Sequence, residues 1–131
     1  MAPSDEPKPT QAELQILEVL WDLGPSTVRE VFDVLSSSRS VGYTTILKLM
    51  QIMAGKGLVS RDESRRTHVY RARLTRKRTQ KRLVKELIDK AFSGSAAGLI
   101  GQALISRKPS DEELAEIQKL IEQYRRENGD D

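Results

Sequence analysis

Along the chain, tracts whose apolar residues recur at helical spacing alternate with short polar or glycine-rich breaks. Thr10-Gln-Ala-Glu13 reads as a capping box, in which the Thr hydroxyl and the Glu carboxylate satisfy first-turn amides. Leu14, Leu17, Leu20 and Trp21 then share one face, and Gly24-Pro25 stops the helix. Thr27-Val-Arg-Glu30 is a second capping box, opening a short helix that turns Val28, Val31, Phe32 and Leu35 inward. Ser36 to Gly42 is a polar loop. Residues 43–59, YTTILKLMQIMAGKGLV, predict a third helix, with Gly55 and Gly57 available for its C-terminal turn. A hairpin follows, with strands at 58–61 and 67–74 and a polar tip at 62–66. In its second strand Tyr70, Ala72 and Leu74 share one face, and Arg71 and Arg73 the other. Thr75 caps a long helix over 76–92, striped by Leu83, Val84, Leu87, Ile88, Ala91 and Phe92. A small-residue helix spans 96–106, where Gly98, Gly101 and Ala103 would let another helix approach closely. Ser110-Asp-Glu-Glu113 is a third capping box, and Leu114, Ile117, Leu120, Ile121 and Tyr124 line the last helix.

The third helix carries an unusual pattern. Ile46, Leu47, Leu49, Met50, Ile52 and Met53 are apolar and suit burial. Thr44, Lys48, Gln51 and Gly55 fall at i, i+4, i+7 and i+11, a narrow polar stripe with a single charge. Helix, helix, loop, helix and two-stranded ribbon is the order of a winged helix-turn-helix. In that fold the third helix packs its apolar side on the first two, and its polar stripe enters the major groove of duplex DNA, about 12 Å wide. Thr44, Thr45, Lys48 and Gln51 are therefore the candidate base contacts. Threonine and glutamine suit base edges and the thymine methyl, and lysine reaches guanine or phosphate. Candidate backbone contacts are Arg39, Tyr43, Arg61, Arg65, Arg66 and His68, mostly on the wing.

Charge sharpens this picture. Net charge is only +3, but residues 61–90 hold 12 Lys/Arg against 4 Asp/Glu, whereas the flanking segments are mildly acidic. A localised basic block points to an anionic partner. The rival reading is a winged-helix interaction module whose basic block docks an acidic protein, with the stripe an ordinary solvated face. Aromatic residues are 5% of the chain, too few for stacking on single strands, so Trp21 and Phe32 are assigned to the core. There is one His, no Cys and no glycine-rich phosphate loop, so neither an enzyme, a cofactor nor a metal site is expected. No apolar run marks a leader or a membrane span, and a cytoplasmic location is expected.

The expected fold class is thus mainly α: a winged helix-turn-helix followed by a helical C-terminal dimerisation region. Residues 1–9, with three prolines, form an expected disordered tail, 10–74 the DNA-binding domain, 75–127 the dimerisation domain and 128–131 a disordered end. So short a helical tail buries its stripes better against a second copy than alone.

ELQILEVLWDLGPSTVREVFDVL, YTTILKLMQIMAGKGLVSR and HVYRARLTR resemble the penicillinase-repressor family of the BlaI/MecI type, over roughly residues 10–127. The resemblance implies a homodimeric bacterial transcriptional repressor. Its winged helix would bind an inverted repeat with TACA/TGTA-like half-sites, through Thr44, Thr45, Lys48 and Gln51 and a wing around Arg65 and Arg66. It implies dimerisation through Leu83, Leu87, Phe92, Leu99, Ile117, Leu120 and Ile121. In the beta-lactam-responsive members a membrane-bound sensor protease cuts an Asn-Phe bond, and Gln102-Ala103 stands at about that place here. The cleavage signal is absent or altered. Copper-responsive members carry a C-terminal cysteine cluster, and without Cys thiolate sensing of copper(I) is excluded.

Overall fold

Reciprocal capping boxes set where the first two helices begin. Thr10 Oγ1 accepts from Glu13 N at 3.2 Å while Glu13 Oε1 accepts from Thr10 N at 2.9 Å, starting α1 (Gln11–Leu23). Thr27 and Glu30 repeat the arrangement at 3.1 and 2.8 Å, starting α2 (Val28–Ser36). Gly24 ends α1 at φ 87° and ψ −168°, a conformation open essentially to glycine alone. After the Ser37–Gly42 loop comes α3 (Tyr43–Lys56), closed by Gly57 in the left-handed region at φ 85°. The hairpin consists of β1 (Val59–Asp62) and β2 (Val69–Ala72), antiparallel, with Val59 opposite Ala72 and Arg61 opposite Tyr70. Then follow α4 (Arg76–Ala91), α5 (Ala96–Ser106) and α6 (Asp111–Asn128). Thr75 caps α4 through Arg78 N, and Ser110 supplies the hydroxyl half of the third cap, accepting from Glu113 N at 3.0 Å.

This computed structural model describes residues 7–129. Residues 1–6 and 130–131 of the expected disordered ends lie outside the described residues; Pro7–Pro9 carry no regular secondary structure, and Asn128 is still helical.

The core is built by Ile16, Leu17, Val19 and Leu20 of α1, Val28 and Val31 of α2, Ile46, Met50 and Met53 of α3, and Leu58, Val59 and Tyr70 of the wing. Trp21 and Phe32 pack at its margin, as core rather than as stacking platforms. The first strand is shifted by one residue from the expected 58–61, and the second is shorter than the expected 67–74. Leu58 is held by the helix exit, donating to Met53 O at 2.9 Å, and Thr67 and His68 remain in the tip. A second pairing has no counterpart in the sequence pattern: Ser26 and Tyr70 exchange both backbone hydrogen bonds, at 2.9 and 2.8 Å, so the turn before α2 extends the wing sheet by one bridge.

The chain divides into two compact units, the first ending at Arg82 and the second starting at Leu83. The boundary read from composition, after residue 74, falls earlier. The difference lies in the start of α4, which α1 holds: Trp21 Nε1 donates to Leu74 O at 3.0 Å, Arg76 Nη2 sits 2.5 Å from Asp22 Oδ1, and Thr79 is buried. The second unit, taken by itself, buries no residue of α5 or α6. Phe92 lies against Gly98, 3.3 Å from where a Cβ would sit, whereas a Cβ at Gly101 would meet nothing within 4 Å among the described residues, so no close helix approach is made at Gly101 there.

Candidate nucleic-acid interface

The third helix behaves as its pattern requires. Ile46, Met50 and Met53 are buried, and Thr44, Thr45, Lys48, Gln51 and Gly55 are exposed, so four candidate base contacts occupy one side of a helix whose other side is core. Ile52 is the exception: it was expected to be buried and is 44% exposed. The apolar residue type misled there, because its angular position on the helix belongs with Lys48 rather than Met50.

Two devices hold this helix in place. At its C-terminal end Lys56 Nζ lies 2.7 and 2.9 Å from the carboxylate oxygens of Glu13, whose residue is only 2% exposed. A cation there also suits the negative end of the helix dipole. Burial pushes the Glu13 carboxyl up, but the bonds from Lys56 and the Thr10 amide, with the lysine charge, outweigh it and leave the pKa below the usual carboxylate value. At its N-terminal end the Tyr43 ring meets Phe32 edge-on at 5.7 Å, and the Arg29 guanidinium lies 5.1 Å from the Tyr43 centroid and 5.7 Å from that of Phe32. Sequence reasoning took Glu13 for a cap alone and gave Arg29 no role. Only three-dimensional neighbours reveal either.

The candidate backbone contacts divide into held and open groups. Arg39 hydrogen-bonds Gln15 of α1, which places it on the α1 side of the loop. Arg61 donates from Nε to Glu63 Oε2 at 2.6 Å. The tip is shaped by Asp62, whose Oδ1 accepts from Ser64 N at 2.9 Å, a bond that holds the Asp62 carboxyl below its usual range. Arg65, Arg66 and His68 are exposed on the tip, and Tyr43 is 39% exposed. Exposed cations on the wing tip are suited to neutralising phosphates, and a polar helix stripe to addressing base edges.

In the second unit, Ile117, Leu120 and Ile121 line an apolar groove of about 600 Å³ together with Ile100, Leu104 and Tyr124. Leu83, Phe92 and Leu99 are half-buried and Leu87 is exposed, and none of these four lines the groove. Ile100 and Leu104 were missed because the small residues between them draw attention away from their shared face.

A family model described as penicillinase repressor matches residues 9–123. The chain belongs to that family. It is a family of transcriptional regulators, not of enzymes. The proteins called transcriptional regulator BlaI from two strains of Mycobacterium tuberculosis are each 37% identical over 59 residues, covering 44% of this chain and 43% of the relative. The chain thus spans less than half the length of the curated relatives it matches. A solution structure of monomeric Bacillus licheniformis BlaI with the blaP half-operator is similar at 24% identity, over 55% of this chain and 88% of that one, with a TM-score of 0.49. The winged helix-turn-helix with a helical C-terminal region is the fold of this chain. Among the described residues no helix is long and apolar enough to cross a membrane.

Proposed function

We propose that this chain is a sequence-specific repressor of transcription that binds duplex DNA as a homodimer on an inverted repeat. The observation that carries the reading is the division of α3 into a buried side and an exposed stripe of Thr44, Thr45, Lys48 and Gln51. In this reading the stripe enters the major groove, and Arg65, Arg66 and His68 meet the phosphate backbone, with Arg61, Arg39 and Tyr43 at the flanks. The penicillinase-repressor family match and the transcriptional-regulator relatives support the DNA target. The dimer is supported by the second unit, whose helices bury nothing alone and expose Leu87, Leu120 and Ile121. Two copies related by a two-fold axis would set two recognition helices about one DNA turn apart, which is why an inverted repeat is the expected target. Repression acts in the cytoplasm in this reading.

Relief by a sensor protease has little support. Gln102-Ala103 lies inside α5, and a helical peptide bond must unwind before a protease can take it in extended form. The test is fluorescence anisotropy of the full chain with inverted-repeat promoter duplex and a scrambled duplex, across a salt series. Preference for the repeat, with affinity falling steeply with salt, is expected. Equal binding to both duplexes overturns the sequence-specific reading, and no binding even at low salt favours the acidic-protein docking module instead.

A further inference from the structure

Ile52 stands among the polar residues of α3, not among the core ones. At about 100° per residue it lies about 40° round the helix from Lys48, about 20° from Thr45 and about 160° from Met50. Its exposure of 44% matches that position, on the side of the helix away from Met50. Lys48, Thr45 and Gln51 around it are all exposed. It therefore stands as one branched apolar side chain inside a hydrogen-bonding surface, about 6 Å further along the helix axis than Lys48.

We propose that Ile52 is a specificity-determining residue that reads the 5-methyl group of one thymine in each half-site. The inference rests on the proposed DNA-binding function and deepens it. Isoleucine has no donor or acceptor, and the thymine methyl is the one apolar group on the major-groove edges of the four bases. Seated on a thymine, Ile52 loses water against carbon. Seated on guanine or cytosine, it covers an acceptor or donor without replacing the hydrogen bond to water, which is costly. Thr45 and Lys48 on either side supply the hydrogen bonds and fix the register, so Ile52 adds discrimination at a position that the polar stripe does not reach.

The experiment uses the full chain. It selects duplexes from a randomised library, and the enriched duplex is resynthesised with deoxyuridine at each thymidine in turn, which removes only the methyl group. With the unaltered protein, one deoxyuridine position per half-site should raise Kd about four-fold, the worth of one buried methyl group. Ile52→Ala should bind all-thymine and deoxyuridine duplexes alike at that position, and Ile52→Val should keep most of the effect. Enrichment with no deoxyuridine effect, or an effect that persists in Ile52→Ala, overturns the assignment of Ile52 and leaves the DNA-binding reading standing. Failure to enrich any duplex removes both.

Discussion

At the scale of single residues, the half-buried ion pair between Glu13 and Lys56 ties the start of α1 to the end of the helix that carries the stripe. Its worth depends on pH with a definite sign. The Glu13 pKa is lowered in the fold, so the pair contributes fully above the unfolded carboxylate value and loses its contribution as pH falls through the lower folded value. Lys56→Ala leaves the Glu13 carboxylate buried with the Thr10 amide as its remaining partner. We expect a loss of about 2 kcal/mol at neutral pH, less than a fully buried pair because the lysine is partly solvated. Urea unfolding over a descending pH series should show that deficit shrinking as pH falls through the folded Glu13 value; a deficit independent of pH would assign it to lost packing. On the exposed stripe of α3, Lys48→Ala should narrow the preference for the operator over scrambled duplex in the proposed reading. Arg66→Ala should weaken both alike and reduce the salt slope by about 1, a contrast that parallel salt titrations resolve. The stripe was legible in the sequence because a 3.6-residue period fixes which residues share a face. Glu13 was half legible: its spacing from Thr10 announced the cap, but its pairing with Lys56 spans 43 positions and leaves no local trace. Ile52 was misread by residue type when its angle alone would have placed it correctly.

At the scale of elements, the first unit works because caps and turns agree with the hydrophobic pattern. Gly24 is the sharpest of these agreements. Its φ of 87° and ψ of −168° lie where a Cβ is strained, and nothing in space near it would otherwise resist a methyl group. Gly24→Ala should therefore destabilise the first unit by about 1–3 kcal/mol through backbone strain alone, read as a lower urea midpoint with an unchanged slope. An unchanged midpoint would mean that the turn relaxes freely. The same turn presents Ser26 to Tyr70, so its geometry also sets where the wing leaves the core. Helix boundaries were legible to within a residue or two, since Thr10, Thr27, Thr75 and Ser110 each mark a start with a side-chain bond. Strand ends were less so. Leu58 has the residue type of a strand, but its amide is already committed to closing α3, and pairing with the distant Ser26 has no periodic signature.

At the scale of the whole molecule, the contrast between the two units is the main physical fact. The first has a closed core from three helices and a ribbon. In the second, Ile100, Ile105, Leu120, Ile121 and Tyr124 are between 49% and 76% exposed, an arrangement that isolated helices in water do not favour. The apolar stripes that suggested dimerisation in the sequence are the ones left uncovered, although Leu83, Phe92 and Leu99 are already partly spent within the chain. If a second copy covers the α5–α6 groove, Ile121→Glu puts a charge where a partner's apolar surface should seat, at a cost that a dimer interface cannot absorb by solvation. Sedimentation equilibrium should then show monomer at concentrations where the unaltered chain is a dimer. Affinity for an inverted repeat should drop to that for a single half-site, because the second recognition helix no longer benefits from the high local concentration that the dimer provides. The stripe on α3 is untouched by this substitution, so half-site preference should survive. A variant that stays dimeric, with full affinity for the repeat, would place the partner surface elsewhere in the second unit, on the exposed Leu87 side of α4 rather than in the groove.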